Sequence, residues 1–388
     1  MHVSRVLFVV PPLTGHVNPT VSVAAELEAR GHDVAWVGHP TVVRKLLPEG
    51  ARLIELDDRI PQDLHRQMQE RSVSSRGLVA LKFLWEDFLV PLGRAMIPGV
   101  TAAVESFRPD VLAVDQQALA GGIVARKKGL PWVTMATTSA AVTDSLAGLP
   151  KVKAWVDGLL ADMQRDNGLP VLEGHNCSED AVIVFSTDAL VGDVGRFPEQ
   201  YHFVGPSFVH RGDKTTFPWE QLDDSVPRVL VSLGTVNAER GARFFRALLE
   251  GLREAKLQVI LVAPPEIVGE IPDNAIVRPW VPQLALLKRV DAVVGHGGHN
   301  TVCETLRHGL PMVVAPIRDD QPVVAKQVVA AGAGVRVRFA RVGAEGIRLA
   351  VEEVLADPSY RLAAERVQAS FVDAGGPEEV AQIMEALM

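Results

Sequence analysis

The feature that most constrains the fold is an alternation of short, β-branched apolar runs with segments of helical periodicity along the 388 residues. Such runs are typical of buried parallel strands, and the helical segments between them supply the crossover connections. The run 5–10 (RVLFVV), for example, precedes the helical segment 18–31, which Gly31 is predicted to end. The alternation therefore predicts an α/β fold with parallel sheets covered on both faces.

The same pattern occurs on both sides of one interruption. The predicted strands are 5–10, 32–38, 108–116, 130–136, 181–187, 228–234, 257–263, 275–280, 291–296, 311–316 and 334–339. The interruption, 206–227, is polar, contains three prolines and lacks periodicity, as linkers do. We therefore predict a first domain at 1–205, a linker at 206–227, a second domain at 228–371 and a terminal helix at 372–388. A cleft between two such domains is a favoured ligand site.

Composition excludes several classes of protein. The formal net charge of −8 argues against a nucleic-acid-binding protein, which would need a basic surface. Two cysteines, Cys177 and Cys303, form neither a disulfide framework nor a four-ligand zinc site, and they fit reduced thiols in the cytoplasm. No uninterrupted apolar stretch approaches the ~18 residues of a membrane span. The apolar run at the N-terminus is too short for a signal peptide, so we expect it to be the first strand.

The segment 296–311 (HGGHNTVCETLRHGLP) follows a predicted strand, and its residues 301–309 (TVCETLRHG) are predicted to form the helix that leaves the turn. Ligands of open α/β sheets bind at the carboxyl ends of strands, and a helix that begins there offers backbone N–H groups and the positive end of its dipole. Gly297 and Gly298 would let a phosphate or diphosphate approach the backbone closely. Asn300 or Thr301 is predicted to cap the helix.

Two neighbouring side chains extend this site. Glu304, one helical turn further on, can accept hydrogen bonds from hydroxyls such as those of a ribose, and His296 can donate to a phosphate oxygen. An ordinary βα loop and a weak metal pair of His296 and His299 remain alternatives. Neither G-x-G-x-x-G after the first strand nor a P-loop motif occurs, which disfavours dinucleotide dehydrogenases and P-loop enzymes.

Taken together, four segments resemble the family 1 nucleotide-sugar-dependent glycosyltransferases. These segments are 278–287 (RPWVPQLALL), 296–311, 316–322 (PIRDDQP) and 11–19 (PPLTGHVNP). The last is similar to the acceptor-side loop of bacterial members that modify antibiotics, macrolides and other natural products. The resemblance implies two Rossmann-like domains facing a central cleft (the GT-B fold), with the terminal helix packing back on the first domain.

The resemblance also implies roles for residues of the donor site. Trp280 would stack on the nucleotide base, Gln283 would contact the nucleoside and Glu304 would bind ribose hydroxyls. The diphosphate would be held by His296, Gly298, Asn300 and Thr301, with Thr235 contributing from a neighbouring loop. Asp320 and Gln321 would hold hydroxyls of the donor sugar, and His299 receives no role. The alternatives are a core aromatic for Trp280, a solvated loop charge for Asp320 and a helix cap for Thr235.

The catalytic candidates are His16 and Asp115, which follow or end predicted strands of the first domain. An imidazole titrates near neutrality, so His16 suits the general base that an acceptor hydroxyl requires; the alternative is a helix-start residue with a satisfied side chain. Asp115 ends an apolar strand, where a carboxylate needs a partner, and it would orient the imidazole. In the resembling family these two positions form such a dyad. The implied reaction is an inverting single displacement, and the sequence contains no Asp-x-Asp motif that would require a metal.

The implied co-substrates are a UDP- or dTDP-linked sugar and a hydrophobic natural product. The apolar segments 77–96 and 135–160 are candidates for the acceptor pocket, although much of them is expected to be core. The sequence leaves open the nucleotide base, the sugar, the acceptor atom and the choice between monomer and homodimer. The alternatives are a non-catalytic nucleotide-sugar-binding auxiliary protein, or a nucleotide-sugar epimerase or lipid-acceptor glycosyltransferase of the same fold.

Overall fold

The computed structural model describes residues 3–57, 78–142, 149–172, 177–208, 216–234 and 241–388. The chain divides into two compact units. The first comprises Met1–Phe185, Gly195–Val209 and Ala374–Met388, and the second comprises Ser186–Val194 and His210–Asp373. The segment Ser186–Val194 therefore groups with the second unit, although it lies inside the range 1–205 that the sequence suggested for the first domain.

The first unit is built on a parallel sheet with the strand order β3-β2-β1-β4-β5-β6-β7 across its described residues. Its strands are β1 (Arg5–Val9), β2 (Asp33–Gly38), β3 (Leu53–Glu55), β4 (Val111–Asp115), β5 (Trp132–Ala136), β6 (Ala181–Val184) and β7 (Tyr201–Phe203). Every residue of β4, β5 and β6 is buried. These strands are continuous apolar runs because helices cover both faces of the sheet.

The helices of the first unit fill the connections between its strands. They are α1 (Thr14–Ala29), α2 (Pro40–Val43), α3 (Leu78–Lys82), a π-helical segment (Phe83–Leu89), α4 (Val90–Phe107), α5 (Leu119–Lys128) and α6 (Pro150–Asp166). A short 3-10 turn, Ser139–Ala141, follows β5. Among the described residues, the continuous helical stretch Phe83–Phe107 is long and apolar enough to cross a membrane. Half of its most apolar part is buried inside the protein. Phe88, Leu92 and Met96 from it belong to the hydrophobic core of this unit.

The second unit contains a parallel sheet with the order β10-β9-β8-β11-β12-β13. Its strands are β8 (Arg228–Ser232), β9 (Gln258–Val262), β10 (Ala275–Arg278), β11 (Ala292–Gly295), β12 (Met312–Val314) and β13 (Gly334–Arg336). Its helices are α7 (Asp188–Val191), α8 (Ala242–Leu252), α9 (Pro265–Val268), α10 (Gln283–Leu286), α11 (His299–Leu306), α12 (Gln321–Ala330), α13 (Ala344–Ala356) and α14 (Pro358–Asp373). Part of the predicted linker packs on this unit, since Gln258 bonds to backbone groups of Gln221 and Asp223.

The last helix, α15 (Gly376–Glu385), belongs to the first unit and packs on α1. Its Val380, Ala381 and Met384 are buried in the core on that face of the sheet. Glu385 accepts a hydrogen bond from Arg30 at 2.9 Å and lies 3.1 Å from His32 Nε2. An apolar stripe and one ion cluster therefore attach the end of the chain to the start of the first unit.

Candidate active site

Three polar side chains meet at the carboxyl ends of three neighbouring strands of the first unit. His16 lies in the first turn of α1, which follows β1, and Asp115 is the last residue of β4. Thr137 comes directly after β5. Because β1, β4 and β5 are adjacent and parallel, their carboxyl ends lie at one edge of the sheet. The topology thereby brings together residues that are 22 to 121 positions apart in the chain.

His16 and Asp115 form a close, shielded pair. His16 Nδ1 lies 2.9 Å from both carboxylate oxygens of Asp115, whose side chain is fully buried, while the His16 side chain is 15% exposed. The backbone N–H of Gln117 donates to Asp115 Oδ1 at 2.8 Å, and Thr137 Oγ1 lies 3.1 Å from Oδ2. Since a carboxylate only accepts, the Nδ1 atom carries the proton and Nε2 is the basic nitrogen.

A small cavity of about 20 Å³ lies beside Asp115 and is also lined by Gln116, Leu119 and Trp132, among others. The Gln116 side-chain amide nitrogen is buried and has no hydrogen-bond partner within the described residues. The cavity has room for about one water molecule, which the amide could bind. It is far too small for an aglycone, so it is not the predicted acceptor pocket.

The segments predicted to line an acceptor pocket contribute several side chains to the core of the first unit. Phe88 is fully buried, and the partly buried Trp85 packs against the same hydrophobic cluster. Trp155, in α6, donates from its indole nitrogen to Glu86 at 3.0 Å. Residues 143–148 of the second candidate segment lie outside the described residues, and so does Thr235 of the donor site.

In the second unit, the turn between β11 and α11 is built around two glycines and His296. Gly297 has φ +84°, and a Cβ atom there would lie 2.8 Å from Val314 Cγ1. A Cβ atom on Gly298 would lie 2.5 Å from His296 Nε2, and one on Gly234 would lie 3.1 Å from His296 Cε1. The His296 ring therefore packs between two glycines, where any side chain at either position would displace it.

The prediction that Asn300 or Thr301 caps α11 is wrong. Gly298 is the residue at the N-cap, and it makes no side-chain cap. The backbone of Gly298 is extended (φ −63°, ψ 133°), and the helical residues begin at His299. Asn300 and Thr301 therefore lie inside the helix and not at its cap. His299 itself is buried, with Nε2 3.5 Å from Cys303 Sγ one turn along, so it packs inside the unit.

His296 is half-buried, and its Nδ1 atom has no hydrogen-bond partner within the described part of the chain. Burial lowers the pKa of His296. The Asp320 carboxylate and the hydrogen bond to the Ser232 backbone raise it again by a smaller amount. Burial therefore favours the neutral imidazole, which carries a single N–H group.

The remaining donor-site candidates are divided between exposed and structurally engaged side chains. Trp280 is 62% exposed, which rules out the core aromatic that was its alternative. Gln283 Nε2 donates to Glu304 Oε2 at 2.6 Å, which fixes the orientation of both. Gln321 is buried, and its Oε1 atom accepts backbone N–H groups from Ile317 (2.9 Å) and Arg318 (3.1 Å). Only the amide N–H₂ of Gln321 is thus left for a ligand.

One more donor-site candidate, Asp320, precedes α12 and is half-buried. Its neighbour Asp319 has φ +54°, an uncommon conformation for a residue with a side chain. Within the described residues, no group of three or more His, Cys, Asp or Glu side chains is arranged to hold a metal ion.

The sequence motifs did not identify Thr137 or Gln117. Thr137 is the first polar residue after the buried strand β5, and Asp115 is the polar residue that ends the neighbouring strand β4. That parallel was the available signal. Gln117 contributes only its backbone N–H group, which no side-chain motif can predict.

Each of the two α/β units is built on a parallel sheet. The first has a His–carboxylate pair at its strand ends, and the second has a glycine turn at a helix start. Together these features are those of a group transferase with the GT-B fold. The comparisons agree: a solved structure described as the glycotransferase of kitacinnamycin is 25% identical, covers 100% of both chains and superimposes with a TM-score of 0.81.

The sequence comparisons identify the chain more closely. Residues 247–387 match the family described as erythromycin biosynthesis protein CIII-like, C-terminal domain. The demethyllactenocin mycarosyltransferase of Streptomyces fradiae is 29% identical over 99% of this chain and 87% of its own length. The NDP-glycosyltransferase YjiC of Bacillus licheniformis is 28% identical over 97% of this chain and 96% of its own. The chain is therefore a glycosyltransferase and a homologue of the bacterial natural-product glycosyltransferases, as its motifs predicted.

Proposed function

We propose that this protein is an inverting glycosyltransferase that moves a hexose or deoxyhexose from a UDP- or dTDP-sugar to a hydroxyl group of a hydrophobic natural product. The observation that carries the proposal is the His16–Asp115 pair, in which Nδ1 is 2.9 Å from a fully buried carboxylate. The names of two relatives, a mycarosyltransferase and an NDP-glycosyltransferase, support the donor class.

His16 acts on the acceptor. An alcohol is a poor nucleophile while it keeps its proton, so Nε2 removes that proton as the oxygen attacks the anomeric carbon. The resulting imidazolium is stabilised by the Asp115 carboxylate on its other side. That carboxylate also accepts the backbone N–H of Gln117, so groups of the protein fix its orientation beside the imidazole. General base catalysis of this kind contributes about 10²- to 10⁴-fold.

The second unit binds the donor. Trp280 stacks on the base, Gln283 contacts the nucleoside and Glu304 binds ribose hydroxyls. The diphosphate is held by His296, Gly298, Asn300 and Thr301 at the start of α11, and the sequence resemblance adds Thr235 to this set. Asp320 and the amide N–H₂ of Gln321 bind hydroxyls of the sugar.

The leaving group carries the charge that this site must stabilise. The bond between the anomeric carbon and the phosphate oxygen breaks, its electron pair departs with the nucleoside diphosphate, and the new bond to the acceptor oxygen forms on the opposite face. The start of α11 supplies backbone dipoles and the neutral His296 supplies one N–H group, an arrangement fixed before the reaction. We propose that the protein's own groups suffice, with no metal cofactor, and that the reaction takes place in the cytoplasm, because Cys177 and Cys303 are free thiols.

The test separates nucleotide binding from turnover. Thermal unfolding with UDP, dTDP or GDP chooses the base, since a ligand at ~100 times its Kd stabilises the folded state by about 2.7 kcal/mol. His16→Ala should keep that shift and lose about 10²- to 10⁴-fold in kcat. His202→Gln, on the edge strand β7, is the matched control and should keep both.

Two outcomes would contradict the proposal. Unchanged turnover in His16→Ala removes the general base and favours a different deprotonating group. No thermal shift with any nucleotide removes the donor site. The anomeric configuration of the product, read by NMR coupling constants, decides between inversion and retention.

A further inference from the structure

Thr137 is a third member of the His16–Asp115 cluster. Its hydroxyl oxygen lies 2.9 Å from His16 Nδ1 and 3.1 Å from Asp115 Oδ2. The residue is 3% exposed. A hydroxyl group in contact with both partners of a general-base pair is placed to influence how that pair works.

The proton inventory assigns the direction of each hydrogen bond. The single proton on His16 Nδ1 points to the Asp115 carboxylate, because a carboxylate has no proton to give. The Thr137 hydroxyl therefore cannot donate to Nδ1, and it donates to Asp115 Oδ2. The Gln117 N–H group donates to the other carboxylate oxygen, Oδ1, at 2.8 Å. The carboxylate is thus held at both oxygens by groups of the protein.

We propose that Thr137 is a positioning residue for the general base. This inference rests on the proposed function of His16. The Thr137 hydroxyl and the Gln117 N–H group hold the carboxylate in the plane in which it accepts from Nδ1. That fixed carboxylate keeps the imidazole in the tautomer whose Nε2 takes the acceptor proton. Without the hydroxyl, Asp115 Oδ2 loses one of the groups that fix its position, and burial at Thr137 leaves little room for water to replace that group.

A neighbouring threonine shows that this arrangement is distinct from ordinary strand chemistry. Thr134, within β5, uses its hydroxyl oxygen to accept the backbone N–H of Ser178 at 2.7 Å, which secures a loop. The contacts of Thr137 go to the two catalytic side chains. Removing the Thr137 hydroxyl should therefore change the activity of the His16–Asp115 pair without the loss of a loop contact that removing the Thr134 hydroxyl would cause.

The experiment uses Thr137→Val, which keeps the β-branched shape, and Thr137→Ser, which keeps the hydroxyl. Thr101→Val is the matched control, because the Thr101 hydroxyl donates to the carbonyl of Ile97 within helix α4 and not to the catalytic pair. We expect Thr137→Val to lower kcat about tenfold, with the KM values for donor and acceptor within about twofold, as for loss of one charge-assisted hydrogen bond. Thr137→Ser and the control should stay within about twofold of the unsubstituted enzyme.

A double-substitution cycle tests whether Thr137 acts through Asp115. In an Asp115→Asn background, measured in single turnovers, adding Thr137→Val should lower the rate less than about twofold, because the carboxylate it positions is gone. A full tenfold loss in that background would show an independent effect and overturn the inference. So would unchanged kcat in Thr137→Val, or equal losses in Thr137→Val and Thr137→Ser.

Stability and function are kept apart in this design. If Thr137→Val does not fold by thermal unfolding, Thr137→Ala removes the same hydroxyl with a smaller side chain and faces the same criteria. Loss of activity in His16→Ala and Asp115→Asn with normal Thr137→Val overturns only this inference. Normal activity in His16→Ala overturns the proposed function itself.

Discussion

Substituting Gly298 with alanine tests the packing of the donor turn in isolation. The backbone there has φ −63° and ψ 133°, which alanine adopts without strain, so the change acts through the added Cβ atom. That atom would lie 2.5 Å from His296 Nε2, about 0.9 Å short of the 3.4 Å at which ordinary contact begins. The ring cannot retreat far, because Gly234 lies against it as well.

The magnitude follows from overpacking in a tight site. Inserting a methyl group that forces its neighbours to shift costs about 1–3 kcal/mol of unfolding free energy. If the turn opens to relieve the contact, the diphosphate loses its fit, and we expect the Kd for the preferred nucleotide to rise about tenfold, which corresponds to about 1.4 kcal/mol.

The assay is chemical denaturation together with calorimetric titration of the nucleotide. Gly158→Ala is the control: it lies in helix α6 with nothing within 4 Å of the added atom, so it should stabilise by about 0.5–1 kcal/mol. Adding His296→Ala should reduce the stability cost of Gly298→Ala, because the clashing ring is gone. Equal stability and equal nucleotide affinity in Gly298→Ala would refute the reasoning.

Two further predictions concern Trp280 and Glu385. Trp280→Ala should change the unfolding free energy, measured by denaturation, by no more than about 0.5 kcal/mol, because the side chain is 62% exposed. The same substitution should raise the nucleotide Kd, measured by titration, about tenfold through the loss of stacking on the base. The pKa of Glu385 is lowered, first by the hydrogen bond from His32 and then by Arg30. A lowered pKa in the folded state stabilises above the unfolded value near 4.5 and loses that contribution as pH falls below it. Glu385→Gln should therefore melt earlier than the unsubstituted protein at pH 7, with a gap that narrows below about pH 4.5; an unchanged gap there would contradict the assignment.

The architecture was predictable because buried strands and the helices between them have distinct local patterns of apolar residues. Every apolar run predicted as a strand is a strand in the structure, with ends that differ by a few residues. The sequence missed β3 (Leu53–Glu55) and β7 (Tyr201–Phe203), the two edge strands of the first sheet. Edge strands of three partly exposed residues contain no continuous apolar run, so periodicity cannot detect them.

The site was only partly predictable, for a different reason. His16 and Asp115 stood out because a histidine and a carboxylate at strand ends are unusual and chemically complementary. Gln321 was predicted to hold sugar hydroxyls, yet its carbonyl oxygen accepts two backbone N–H groups. Gln283 and Glu304 were assigned separately and are hydrogen-bonded to each other. Residue type indicates what a side chain can bind, but its neighbours decide which of those bonds are already made.

The sequence by itself determined the two α/β units, the strand-end positions of the candidate residues and the glycine turn before α11, because each follows from the chemistry of adjacent residues. Only the tertiary structure decided that Thr137 meets a pair whose members lie 99 residues apart, and that the His296 ring fills the space left by Gly298. The physical reason is distance: hydrogen bonds and clashes change within a few tenths of an ångström. Positions that exact depend on strand register and on the packing of segments remote in the chain.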